Sequence, residues 1–184
     1  MNTVEPIRNK VLIEKVKEEL KKDSYRNYMM FFVGINTGLR SVDLLKLKAN
    51  DFLDNTHLMI REQKTNKYKR FLINEELKKE VLKYINKENL QKEDHLFYSR
   101  EGKNKPLTRV MMYNIINKAC RNVGITDKIG NHTLRKSWGY HFYKKTKDIA
   151  LIQDLLNHSS QRVTMRYIGI NDDIRDEALK DFSL

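Results

Sequence analysis

The sequence predicts a mainly α fold with one small antiparallel β-sheet. Three observations carry this. Apolar residues recur at helical spacing along much of the chain, as in Val11, Leu12, Val16 and Leu20 with charges between them. Residues 57–62 and 70–73 read as strands, and the polar link Gln63 to Lys69, with Asn66 inside it, suits a hairpin loop. Neither the alternation of a parallel sheet nor a glycine-rich phosphate loop appears, so nucleotide-driven chemistry has little support.

The elements follow in order. Residues 9–22 form an amphipathic helix, interrupted by Asp23 and Ser24, and Ser24 is a good N-cap for the next. Residues 25–36 are dense in Tyr, Met, Phe, Val and Ile, so this helix is buried; Gly38 closes it with a left-handed turn. A new helix begins near Arg40, a position where the macrodipole disfavours a cation, which hints at function. After the hairpin come a helix from Glu75 to about Lys87 and a loop-like stretch over 88–106. Thr108 caps a helix that runs to Asn122 and stops at Gly124. His132 and Arg135 share a helix, and Asp148–Leu156, Ser160–Ile168 and Asp172–Phe182 complete the set.

Composition narrows the class. At 184 residues the chain is one domain, or one with an appendage, able to bury a core without disulfides. Lysine and arginine total 36 against 24 acids, a net charge of +12 and a pI near 9.6, which favours a polyanionic partner, nucleic acid first. The bland alternative is a solvated basic surface. The single cysteine, Cys120, excludes an internal disulfide or a cysteine-rich metal site and reads as core. The longest apolar run, Met29 to Ile35, is too short to span a bilayer, and the N-terminus lacks a secretory signal's apolar core. A cytoplasmic protein of bacterial or phage origin, without membrane association, is expected.

The stretch from His132 to Tyr167 concentrates chemistry. His132 and Arg135 lie three apart, on one face if both are helical. His158 follows the apolar run Ile149 to Leu156 and Asn157, where a helix stops and a turn begins, and Tyr167 lies nine residues on. Arginine binds phosphate through a planar fork, histidine moves protons near neutral pH, and tyrosine can be a nucleophile. Such residues are also common on any basic surface.

The set Thr37-Gly38-Leu39-Arg40 with Asp43, a lysine in the hairpin, His132-x-x-Arg135, Leu156-x-His158-Ser159-Ser160 and Tyr167 resembles the catalytic domain of the tyrosine recombinases, the phage integrase family. The resemblance covers about residues 8 to 170. It implies DNA strand exchange through a 3′-phosphotyrosine, without cofactor or metal. Carried onto this chain, it makes Tyr167 the nucleophile and Arg40 and Arg135 clamps on the non-bridging oxygens. His132 assists proton removal, His158 hydrogen-bonds the phosphate, and Lys64 protonates the 5′-oxygen. Asp43 orients Arg40 or braces the site from behind.

Alternatives stay open at several positions. Lys67 and Lys69 share the hairpin with Lys64, Asp43 could be an exposed helical acid, and Arg40 a surface ion pair. Tyr140, Tyr143, Trp138 and Phe142 read as packing residues; His57, His95 and His141 have no motif partners. Replacing either arginine is expected to leave global stability little changed. The partners implied are double-stranded DNA and further copies of the chain on it. The runner-up functions are a non-catalytic DNA-binding regulator on the same fold and a type IB topoisomerase-like nicking and closing enzyme. The chain reads as a single catalytic domain over residues 1–184, without the extra N-terminal domain of most relatives. It is therefore a minimal recombinase, a fragment, or a protein needing a separate DNA-gripping partner. Residues 171–184 are locally acidic with an apolar stripe through Ile174 and Phe182, and this helix is expected either to be exchanged between subunits or to fold back onto its own domain.

Overall fold

The computed structural model describes residues 4–61, 68–102, 104–180 and 182–183. Helices α1 (Lys10–Asp23), α2 (Tyr25–Thr37) and the one-turn α3 (Ser41–Leu44) lead into a 3₁₀ turn at Ala49–Asp51. The hairpin β1 (His57–Arg61) and β2 (Tyr68–Leu72) follows, then α4 (Glu75–Lys87) and α5 (Arg109–Asn122). The second half is helical: α6 (Thr133–Thr146), α7 (Ile149–Leu156), α8 (Gln161–Ile168) and α9 (Asn171–Leu179). The predicted mainly α class with a small antiparallel sheet is what forms.

Side-chain caps set most starts. Asn9, Asn74, Thr108, Asp148 and Ser160 each accept a hydrogen bond from a backbone N–H in the first turn of the following helix. Ser24 stands at the N-cap of α2 but makes no capping bond with its side chain. Burial carries that helix instead: Met29, Met30, Phe31 and Val33 are fully enclosed. The hairpin pairs His57 with Leu72 and Arg61 with Tyr68. The second strand therefore starts at Tyr68, earlier than its apolar run suggests, because cross-strand pairing extends the ladder into polar sequence. The stretch 88–106 is held by isolated bridges, Lys48 to His95 and Tyr98 to Pro106, with Leu96 and Phe97 fully buried.

Among the described residues two apolar clusters form. The larger gathers α1 to α5 and the hairpin, and receives Leu134 from α6. The smaller joins Tyr140 of α6 to Ile152 and Leu156 of α7 and to Ile168 and Ile170 around α8. Helix α6 is thus the shared wall. A Cβ on Gly139 would stand 2.7 Å from Ile168 Cγ2, so glycine there lets α8 close on α6. Cys120 is fully buried, as expected, and its enclosure pushes the thiol up to about 12, which makes it inert. Tyr140 is also buried, and Trp138 stacks on Phe142 at 5.1 Å against the smaller cluster.

Candidate active site

Arg135 is the centre of the site. It lies in the first turn of α6, only 3 % exposed. Its Nη1 donates to Gly38 O at 2.6 Å and its Nη2 to Leu156 O at 2.8 Å. One guanidinium therefore ties the end of α2 to the end of α7. Gly38 can present its carbonyl there because it adopts φ of 62°. A Cβ at Gly38 would also meet the Trp138 ring at 2.5 Å.

His132 is the N-cap of α6 rather than a residue within it, with φ of −96° and ψ of −8°. The shared helix face predicted for His132 and Arg135 is corrected accordingly. The loop Gly130 to Thr133 turns just before the helix, with Gly130 N donating to Thr133 Oγ1 at 3.0 Å. The imidazole is thereby swung out to meet Tyr167, whose hydroxyl lies 3.3 Å from His132 Nδ1. The two rings meet edge to face.

Helix α7 ends at Asn157, which takes the left-handed conformation at φ of 54°. His158 follows. Its Nδ1 is 3.1 Å from Thr164 Oγ1, and its ring lies 4.8 Å from that of Tyr167, also edge to face. The Thr164 hydroxyl donates to Ser160 O at 3.1 Å, so the His158 contact is assigned as Nδ1–H donating to Thr164. Thr164 is fully buried and braces His158. The one readable sign of Thr164 in the sequence is its place in the first turn after the N-cap Ser160.

Tyr167 is half-buried on α8. Burial raises its phenol above the ordinary value, while Arg135, which also hydrogen-bonds it, and Arg40 pull the other way. Burial wins, so the positive surroundings alone do not free the proton. His132 is pushed down by desolvation first, then by Arg135, Arg109, Lys136 and Arg40. Its ring is therefore neutral at pH 7 and able to accept a proton.

Arg40 is the N-cap of α3 and half-buried, near enough to act on both Tyr167 and His132. The reading of Arg40 as a surface ion pair gives way to this placement. Asp43 is 5 % exposed, so it is not an exposed helical acid. It sits one turn after Arg40, with its N–H on Arg40 O at 2.9 Å. Lys64 and Lys67 lie outside the described residues. The structure thus brings Arg40, His132, Arg135, His158 and Tyr167 together, with Asp43 behind Arg40. His95 and His141 lie away from this group; burial pushes both rings down, and His141 Nε2 sits 2.9 Å from Ile7 O. Lys136, unremarked in the sequence, is nearly buried, with Nζ 5.4 Å from the Tyr167 ring centre.

Residues 8–173 match the phage integrase family. The chain is 43 % identical over 182 residues to the probable integrase/recombinase YoeC of Bacillus subtilis, covering 99 % of this chain and 98 % of that one. It is 30 % identical over 158 residues to the tyrosine recombinase XerH of Campylobacter jejuni, covering 84 % of this chain but 44 % of that protein. Among solved structures, XerH site-specific recombinase bound to palindromic difH substrate, a post-cleavage complex, superposes with a TM-score of 0.75 at 25 % identity. That match covers 98 % of this chain and 54 % of the other, so the chain spans about half the length of the XerH proteins. The chain belongs to the phage integrase family of tyrosine recombinases.

Proposed function

We propose that this protein is a site-specific DNA recombinase that cleaves and rejoins double-stranded DNA through a 3′-phosphotyrosine. The observation that carries the reading is the Tyr167 hydroxyl, 3.3 Å from His132 Nδ1 and beside the buried Arg135 guanidinium. The phenolic proton passes to His132 Nδ1. The phenolate oxygen attacks the scissile phosphorus, and the bond from phosphorus to the 5′-oxygen breaks. Arg40 and Arg135 hold the non-bridging oxygens. His158, braced by Thr164 at Nδ1, donates to the phosphate from Nε2 when that nitrogen also carries a proton. Lys64 is assigned the proton for the departing 5′-oxygen, a role taken from the family position. A 5′-hydroxyl of a partner strand then reverses the chemistry, so one phosphoester replaces another and no energy source is consumed.

Further parts of the reading rest on surface and kinship. DNA is the partner favoured by the +12 charge. Self-association on DNA is supported by Ile174 and Leu179 of α9, 40 % and 64 % exposed, and by Phe182 beyond its end, 67 % exposed. None of the described helices is long and apolar enough to cross a membrane, and we assign the protein to the cytoplasm.

The test uses a pool of nicked duplexes carrying randomised sequence, whose cut fragment diffuses away and traps the adduct. The wild type should give a covalent protein–DNA band, and Tyr167→Phe should give none while retaining DNA in a gel-shift assay. A band from the Phe variant would place the nucleophile elsewhere. Relaxation of supercoiled plasmid without strand exchange would instead mark a nicking and closing enzyme.

A further inference from the structure

Residues 4–8 cross α6 as a strap. Glu5 N donates to Lys128 O at 2.8 Å, and Ile7 N donates to Ser137 Oγ at 2.7 Å. Lys136 Nζ donates to Val4 O at 2.6 Å, and Ile7 O accepts from His141 Nε2. Arg8 Nη2 pairs with Glu5 and reaches Gly169 O at 3.3 Å. Pro6 and Ile7 are buried. The strap therefore touches the chain four residues before His132 and two residues after Tyr167, the two partners in the proposed proton transfer.

Lys136 is where the strap meets the site. It is 6 % exposed, next in sequence to Arg135. Enclosing an ammonium is costly unless it is paired, and a methionine would fill the same space without that cost. Here the ammonium lies between the Val4 carbonyl and the Tyr167 ring, 5.4 Å from the ring centre. That is within cation–π range, and in a desolvated place such a contact is at its strongest.

We propose that Lys136, anchored by the Val4 carbonyl of the strap, is a positioning residue that holds the Tyr167 ring so that its hydroxyl stays between His132 and Arg135. This rests on the reading of Tyr167 as the nucleophile. The strap thereby becomes a lever: whatever pulls on residues 4–8 reaches the attacking oxygen through a single side chain. The carbonyl sets the ammonium, the ammonium sets the ring face, and the ring sets the oxygen.

The experiment compares Lys136→Met and Lys136→Arg with the wild type in two readouts. The first is the Tyr167 signal in protein labelled with ¹³C at tyrosine Cζ, assigned by its loss in Tyr167→Phe. Lys136→Met should move that signal while leaving most of the other tyrosines in place, and Lys136→Arg should keep it near its wild-type position. The second is the single-turnover adduct rate on the trapping pool. It should fall roughly tenfold in Lys136→Met, the size of a desolvated cation–π contact, with DNA retention unchanged, and recover in Lys136→Arg. An unmoved Tyr167 signal or a wild-type adduct rate in Lys136→Met overturns the proposal. If Lys136→Met does not fold, Lys136→Arg decides: an arginine variant with a displaced signal and a tenfold slower rate overturns it. Absence of any wild-type adduct would defeat the nucleophile reading, whereas the ring contact is still judged by the labelled signal.

Discussion

Arg135 and Arg40 carry the same charge in different roles. Arg135 is buried and bonded to two main-chain carbonyls, while Arg40 is half-buried at a helix start. The sequence expectation that either could be removed without structural cost fails for Arg135. Arg135→Ala leaves two buried carbonyls without their donor and should lower stability by about 2–4 kcal/mol, read from urea melts. Arg40→Ala is the cleaner probe. It should slow adduct formation by on the order of a hundredfold, as loss of an oxyanion donor does, with the melting midpoint little changed. The histidines give a pH signature. Burial pushes His95, His132 and His141 below the ordinary imidazole value. The unfolded chain therefore takes up these protons first as pH falls below about 6.5. Their contribution is complete above that pH and is lost as pH falls through the depressed folded values. Melting temperature should thus drop between pH 7 and pH 5, and a His132→Gln variant should show a shallower drop. An unchanged slope in that variant would mean that His132 titrates as it does in the unfolded chain.

Among the elements, α6, α8 and α9 decide most. Helix α6 carries Arg135 at its first turn and presents Gly139 to Ile168 of α8. Gly139→Ala should force the two helices apart and cost about 1–3 kcal/mol through overpacking, measured by thermal melting. Because Tyr167 precedes Ile168, the same variant should weaken adduct formation beyond what its folded fraction explains. Helix α9 behaves differently. Ile170 is buried in the chain's own smaller cluster, whereas Ile174, Leu179 and Phe182 stay exposed. The helix ends at Leu179, short of the predicted Phe182, and the exposed Ile174 and Leu179, with Phe182 beyond its end, are suited to a second surface, which fits the proposed exchange between subunits. Truncation before Asp172 should leave DNA binding by one protomer intact and reduce paired assembly on two-site DNA, seen as loss of the slower gel-shift species. Equal assembly by the truncated chain would remove α9 from the interface.

For the molecule as a whole, charge sets the behaviour. Affinity for DNA should fall steeply with salt because each phosphate contact releases counterions, with a log–log slope of roughly −0.9 per contact. A flat response between low and moderate salt would point to an apolar partner site instead. The cations do not all serve this end. Arg26 is buried and bonded to Tyr98 O at 2.6 Å, and Lys136 is spent on the strap. Substituting either should leave the salt slope near the wild-type value, whereas Arg61→Ala on the exposed hairpin should reduce it.

Periodicity and punctuation determined the helices and the hairpin, because amphipathic spacing, caps such as Thr108 and turn residues such as Gly38 and Asn157 act over a few residues. The order Arg40, His132-x-x-Arg135, His158 and Tyr167 singled out the site only through its resemblance to the phage integrase family, since such residues are also common on any basic surface. Tertiary structure decided the rest. Whether Asp43 is buried, whether Arg135 is a brace, and whether Thr164 holds His158 depend on what other elements bring alongside, and no local pattern encodes that. The strap over Lys136 is the extreme case: residues 4 and 136 meet through one carbonyl. The protonation of Tyr167 likewise follows from burial against cations, a balance that exists only after the helices have packed.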